Sequence, residues 1–348
     1  MRTVSSFTML AASFLVASTA QAQLMPNIKF GHLTACVADI EASSNFLSEV
    51  FNWQTFVNQA SGGTTKAATA KREEWINADG FTVHLVQSSG SNDQQCESVG
   101  YPSLTFAATD LSESLEKLER AGYKPIINSA NKPQISSRAI VPEFTWPMVT
   151  TRNVDVRLTT ETNFTTTQKT NVGRVTKPRI DRIALIVRDS EEAAKFYTDV
   201  LGMRRHSETV DLDGAANKQS GGIHAVFIDA NGIWLALVQP VGPGPLNAYL
   251  DQHGDAVIAE LIVEVPSVGD FYDLMVSKNS LLLDTGGAPV NPITKAHILE
   301  PFKDKIAYFP AELTGGLTIE IVERGDTTTS LLERRDRDWI PLDVKIAK

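Results

Sequence analysis

The stretch from Ile28 to Phe51 is written again, with substitutions, from Pro178 to Leu201. In one register His32 stands opposite Arg182, Asp39 opposite Asp189, Phe46 opposite Phe196 and Val50 opposite Val200. Self-similarity of this length means that the chain is assembled from duplicated units whose apolar faces must be buried against one another. In the second copy the apolar run Ile183 to Val187 reads as a buried strand. Asp189 or Ser190 caps the helix that follows, and Ala193, Phe196, Tyr197 and Val200 form its apolar stripe. Asn52 and Gly202 stand where the two helices stop, positions that favour a left-handed backbone.

Beyond a variable loop the register returns. Asp79-Gly80 and Asn231-Gly232 are dipeptides suited to a two-residue type I′ turn, and strands Phe81 to Gln87 and Ile233 to Gln239 leave them. A further unit then follows in each half. Ser103 to Ala107 precedes a helix from Asp110 with Leu111, Leu115 and Leu118 on one face, and Glu260 to Val265 precedes a helix carrying Val268, Tyr272 and Met275. The Gly315-Gly316 pair reads as a hairpin. The pattern predicts an α+β chain of four βαβββ modules, two in residues 23–158 and two in residues 178–325. Residues 159–177, rich in Thr, Asn, Gln and Lys, read as the linker, and the charged residues 326–348 as a tail packed outside the second half.

The N-terminus carries a separate signal. Arg2 precedes an apolar run from Phe7 to Ala17, and Ala20-Gln21-Ala22 closes the pattern of a secretory signal peptide cleaved before Gln23. An exported protein, periplasmic or secreted, is therefore expected. The run is too short to span a bilayer and nothing later approaches that length, so no membrane insertion is expected. A net charge of -9, spread along the chain, disfavours nucleic acid and anionic membranes as partners. The expected partner is a small-molecule ligand and the expected assembly a monomer or homodimer. Cys36 and Cys96 are compatible with one disulfide or with two buried free thiols, and their spacing does not decide. No P-loop, GxSxG elbow or HExxH motif occurs, which leaves NTP hydrolysis, serine hydrolase and zincin chemistry without support.

The segment Ile183-Ala184-Leu185-Ile186-Val187, through Phe196-Tyr197 to Val200-Leu201-Gly202, resembles the opening module of the vicinal oxygen chelate superfamily. That superfamily includes glyoxalase I, the bleomycin resistance proteins and the extradiol dioxygenases. The second half is most similar to methylmalonyl-CoA epimerase, through Leu237-Val238-Gln239-Pro240, Leu250 to Val265, Ile306-Ala307-Tyr308-Phe309 and Thr314 to Val322. The first half matches more loosely. The resemblance implies paired modules curled into half-open barrel domains. It also implies a divalent metal held by one residue from each of four strands, usually His, Glu or Gln, His and Glu, acting as a Lewis acid on vicinal oxygens of the substrate. The epimerase activity is not carried over, since a CoA thioester is not expected outside the cytoplasm.

Position by position this chain departs from that ligand set. In the second half the four positions hold Arg182, Ala236, Glu260 and Glu320, and neither a guanidinium nor an alanine can ligate a metal. No metal is expected there. In the first half they hold His32, His84, Ser103 and Arg157, so a divalent Zn, Fe, Mn, Co or Ni is expected, if anywhere, at His32 and His84. Two readings follow. In one, the chain is a glyoxalase- or dioxygenase-like enzyme, a lyase, isomerase or dioxygenase acting on a small oxygenated molecule. Glu260 and Glu320 then move protons, Arg182 and Arg157 meet an anionic group and Trp234 meets an apolar part. In the other, the chain is a metal-free protein that binds or sequesters a small molecule, with Arg182 a buried salt bridge between the two glutamates. His206, His224, His253 and His297 lack a ligand spacing and read as satisfied or solvent-facing.

Overall fold

The computed structural model describes residues 28–56, 73–88, 96, 98–120, 143–145, 154–159, 175–212, 221–231, 233–299 and 303–325. The signal-peptide segment, most of the linker and the C-terminal tail lie outside the described residues.

Strand β1 (Ile28–Val37) leads into helix α1 (Ile40–Phe51), where the Asp39 carboxylate accepts from the Ala42 amide and fills one of the open donors of the first turn. Asn52 closes α1 at φ 57. Then come β2 (Gln54–Phe56), β3 (Glu73–Ala78) and β4 (Phe81–Gln87). Asp79 and Gly80 join the last two with φ 55 and 96, both in the left-handed region that a type I′ turn requires. The second unit comprises β5 (Gly100–Ala108), α2 (Leu111–Arg120), β6 (Glu143–Thr145) and β7 (Asp155–Thr159). Thr159, placed at the head of the linker from sequence, is the last residue of β7.

The second half repeats the plan. It runs through β8 (Arg179–Val187), α3 (Ser190–Lys195), a π-turn over Phe196–Val200, β9 (Arg204–Leu212), β10 (Gly222–Asp229) and β11 (Trp234–Val241). Asp189 rather than Ser190 caps α3, and Ser190 instead donates to Gln239. Helix α4 (Pro245–His253) intervenes, unanticipated from sequence, with Pro245 at its start and Gly254 past its end. Then follow β12 (Ala256–Glu264), α5 (Val268–Ser277), β13 (His297–Leu299), β14 (Asp304–Tyr308) and β15 (Ile319–Glu323). On α5 the buried residues are Val268, Phe271 and Met275, with Tyr272 on the flank.

Both halves are half-open barrels built on the same ladder. β1 pairs parallel with β4 and antiparallel with β5, which pairs parallel with β7. β8, β11, β12 and β15 reproduce that order. Among the described residues a bridge from Tyr101 to Ile258 joins the two sheets. One face of each sheet packs on the helices. In the first half Leu33, Ala35, Leu85, Leu104 and Phe106 meet Leu47, Phe51 and Leu118 in a common core. Cys36 and Cys96 form a disulfide with Cα atoms 5.5 Å apart. Among the described residues no helix is long and apolar enough to cross a membrane.

Two β-bulges decide what the other face presents. In β1 the register moves from Phe30 opposite Phe106 to His32 opposite Thr105, leaving Gly31 as the extra residue. A Cβ at Gly31 would lie 3.0 Å from the Thr105 carbonyl oxygen, so a larger residue there would push the strands apart by a few tenths of an ångström. In β8 the equivalent extra residue is Asp181, between Ile180 opposite Val263 and Arg182 opposite Ile262.

Candidate functional site

With Leu33 and Ala35 in the core, alternation turns His32 and Thr34 to the concave face of the first half. Across β5, Thr105 stands opposite His32 and Ser103 opposite Thr34. On β4, His84 stands opposite Thr34, and on β7, Arg157 stands opposite Thr105. The concave face is thus a grid of buried polar side chains: His32 is 8% exposed, Thr34 2%, Ser103 and Thr105 0% and Arg157 5%. Four atoms of the grid, His32 Nδ1, Thr34 Oγ1, Ser103 Oγ and Thr105 Oγ1, find no hydrogen-bond partner among the described residues. Each such orphan costs roughly 1–3 kcal/mol unless a ligand or water meets it.

Burial, then the charges of His84 and Arg157, hold the His32 imidazole well below its ordinary basicity, so it is neutral at physiological pH. His84 lies 5.7 Å from His32 between ring centroids. It stacks on Trp75 at 4.1 Å, and its Nε2 meets Glu73 Oε2 at 3.1 Å.

The same face of the second half sets an apolar cluster beside the charged Arg182, Glu260 and Glu320. Ala184, Phe227, Trp234, Ala236, Ile262 and Val322 pack there as one cluster. Trp234, at 1% exposure with the His206 ring edge-on at 5.4 Å, is enclosed rather than presented as an open wall. Arg182 does not stand between the two glutamates as a salt bridge. The bulge brings Asp181 beside it, and Arg182 bonds that carboxylate, which Arg324 also bonds at 2.6 Å. Against the cost of burial, Arg324, Arg182 and Arg179 hold the Asp181 carboxyl below the usual range. Arg324 continues to Asp304 at 3.0 Å, and Arg179 pairs with Glu264 at 2.8 Å. Arg182 acts on Glu260 and Glu320 through its charge alone, while Tyr308 donates to Glu320 at 2.6 Å. Burial, then the neighbouring Glu320, push the Glu260 carboxyl up to about 8.

Among the described residues no three His, Cys, Asp or Glu side chains are grouped to hold a metal. The structure does bring His32 and His84 together, but His84 Nε2 faces Glu73 and the Arg157 guanidinium weighs on His32. Two imidazoles with a cation beside them do not make the shell of a resident divalent ion. The second half, with Arg182 and Ala236 at two of its positions, fits one still less. Of the remaining histidines, His224 bonds Asp211 at 2.6 Å and His253 packs tilted against Tyr249 at 4.2 Å. Thr34, Thr105 and Tyr308 were missed from sequence. Reading the first-half strands by the alternation applied to the second would have set the two threonines on the same face as His32 and His84.

The Glyoxalase family, described as the Glyoxalase/Bleomycin resistance protein/Dioxygenase superfamily, matches residues 29–131 and 179–284, more than half of the chain. No curated protein is similar enough to count as a match. A mutant of 4-hydroxymandelate synthase from Streptomyces coelicolor has a similar fold, with TM-score 0.58 and 13% identity, over 89% of this chain and 99% of that one. A 2,2',3-trihydroxybiphenyl 1,2-dioxygenase from Sphingomonas wittichii aligns with TM-score 0.48 and 14% identity, over 85% of this chain and 90% of that one. A Mn(II)-bound glyoxalase from Novosphingobium aromaticivorans aligns with TM-score 0.46 and 16% identity, over 85% of this chain and 81% of that one.

Proposed function

Since the chain belongs to the Glyoxalase/Bleomycin resistance protein/Dioxygenase superfamily, we propose that it binds a small oxygenated molecule inside its first half and does so without a resident divalent metal. One observation carries this reading: the buried His32, Thr34, Ser103 and Thr105 present polar atoms that find no partner among the described residues. A sheet face built this way is stable only when something polar occupies it. Arg157, where relatives carry a carboxylate ligand, disfavours a cation and favours an oxygen-rich partner. In the second half Arg182 belongs to the Asp181 and Arg324 network, and Trp234 to the apolar packing. Glu260 and Glu320 form a proton-holding pair bridged by Tyr308 rather than a metal's ligands.

The enzymatic alternative, a lyase, isomerase or dioxygenase with a metal at His32 and His84, is favoured by the proximity of the two imidazoles and by the Glu73 carboxylate on His84. Elemental analysis of the purified protein separates the two readings, followed by titration of chelator-treated protein with Zn, Mn, Fe and Ni. The expected result is no stoichiometric metal and no binding tight enough to survive dialysis. A stoichiometric metal, lost from both His32→Ala and His84→Ala, would replace this reading with the enzymatic one.

Export of the chain is part of the proposal. It is supported by the Ala20-Gln21-Ala22 cleavage pattern and by a Cys36–Cys96 disulfide, which persists in oxidising compartments. Mass spectrometry of the mature protein should find Gln23 as the first residue, and an intact Met1 on the mature chain would refute export.

A further inference from the structure

We propose that the groove beside β13 is the seat of this chain's own C-terminal segment, Trp339-Ile340-Pro341-Leu342, folded back onto the second half. The inference is independent of what the first half binds.

The groove is built by the loop that joins α5 to β13. Pro289, Val290, Pro292, Ala296 and Ile298 give it apolar walls around about 470 Å³ of space, and His297 adds a ring. The loop is held in shape by its own bonds. The Asp284 amide donates to Ala288 at 2.7 Å, the Val290 amide to Leu282 at 3.0 Å and the Lys295 amide to Asn291 at 2.7 Å, while Lys295 Nζ reaches Asp273 on α5 at 2.6 Å. A groove fixed in this way needs little further ordering to be filled. Ile293, between the lining residues Pro292 and Thr294, is 88% exposed, so the loop also turns a large apolar side chain to water. Among the described residues β13 pairs with β14 alone, which leaves its other edge open to a further extended segment.

The course of the chain selects the occupant. Past β15, Arg324 is fixed to Asp304 and Asp181, and the Gly325 amide donates to Asp304 Oδ1 at 2.8 Å, so the tail departs beside Asp304. Asp304 stands opposite Leu299 in the β13–β14 ladder, and His297 and Ile298 of the groove lie just before Leu299. At about 3.4 Å per residue the return is roughly 7 Å along one strand, which a few residues cross. Residues 326–338 supply more chain than that. Composition then selects the segment. Glu333 to Asp338 is charged at every position and keeps to water, whereas Trp339-Ile340-Pro341-Leu342 is apolar at every position. Pro341 favours an extended backbone suited to lie along an edge strand, and burying the indole alone removes on the order of 200 Å² from water.

The full-length protein carrying p-benzoyl-phenylalanine in place of the exposed Ile293 tests this. Irradiation, proteolysis and mass spectrometry should find the cross-link on residues 339–342, in a product of monomer mass. Hydrogen exchange on the unlabelled parent gives a second readout that does not depend on the label. The peptide holding Ile340 and Leu342 should exchange more slowly than in Trp339→Ser by on the order of tenfold or more. The same variant should speed exchange across residues 289–298 and leave β1 and β5 as in the parent, which separates lost docking from lost folding. A cross-link confined to Leu331 and Leu332, none to the tail at all, or equal exchange of the segment in parent and variant would each overturn the inference. So would a cross-linked product of dimer mass, which would seat the tail on a second copy of the chain.

Discussion

His32 and Glu260 are both held uncharged by their surroundings, and the two act on stability at opposite ends of the pH scale. His32 loses basicity through burial first and through His84 and Arg157 second, so its folded pKa lies below the ordinary 6.5. Its contribution is present above that value and is lost as pH falls from there through the folded pKa. For Glu260, burial and then Glu320 raise the carboxyl from 4.5 to about 8. That contribution is complete below 4.5 and is lost as pH rises toward about 8, because the unfolded chain gives up the proton first. Thermal midpoints measured across this range should therefore fall on both sides of an optimum. Glu260→Gln, which keeps the shape without the charge, should flatten the alkaline decline, and His32→Gln should flatten the acid one. A Glu260→Gln midpoint that follows the parent at every pH would mean that Glu260 ionises in the folded protein as it does in water. The side chains at the four family positions were legible in the sequence. The partner of Arg182 was not, since the prediction of a bridge between Glu260 and Glu320 assumed an unbroken strand, whereas the bulge inserts Asp181 beside it.

Among the elements, legibility follows how local the cause is. The Asp79-Gly80 turn, the Asp189 cap and the Asn52 stop each depend on a few neighbouring residues, and each forms within what the sequence reading allowed. Helix α4 has equally local punctuation in Pro245 and Gly254, yet its apolar pattern is weak, with Leu250 its one buried residue. The π-turn at Phe196–Val200 has no local cause visible in the sequence. It buries Phe196, Tyr197 and Val200 together, so tertiary packing rather than propensity sets its geometry. Bulges belong to the same class, because register is a property of two strands. Gly31 and Asp181 occupy the same place in the repeat, but the first allows close approach to Thr105 while the second brings a carboxylate to Arg182. One substitution within a shared bulge thus helps separate a face of buried, unpartnered hydroxyls from one that holds an internal ion network. The cysteines are a further case. Their pairing was left open because it depends on β1 and the segment after β4 being brought within 5.5 Å, which the sheet alone determines.

At the scale of the molecule, the duplication keeps the ladder and changes the lining, hydroxyls and imidazoles in the first half and an apolar cluster beside a charged group in the second. The two halves are held together by more than the Tyr101 bridge. Tyr101 donates to the Thr318 carbonyl at 2.9 Å, Asn231 to Ile28 at 2.7 Å and the Ala38 amide to Gly315 at 3.0 Å. Phe46 and Phe51 pack on Phe309. Gly315 and Gly316 lie, as read from sequence, in a hairpin, in the loop that joins β14 to β15, and they also sit at this contact. A Cβ at Gly315 would lie 2.0 Å from Ser43 Oγ, which is itself fixed by donation to the Asp39 carbonyl at 2.7 Å. Gly315→Ala therefore meets two costs: the left-handed backbone at φ 72, about 1–2 kcal/mol, and overpacking between the halves, a further ~1–3 kcal/mol. Gly242 separates them, because its φ of 79 carries the same backbone cost while a Cβ there meets nothing within 4 Å. Calorimetry should show Gly315→Ala melting below Gly242→Ala, with the first half losing its contact to the second and the transition broadening. Equal midpoints for the two variants would mean that the halves are not held through Gly315, and that the Tyr101, Asn231 and Phe309 contacts suffice to join them.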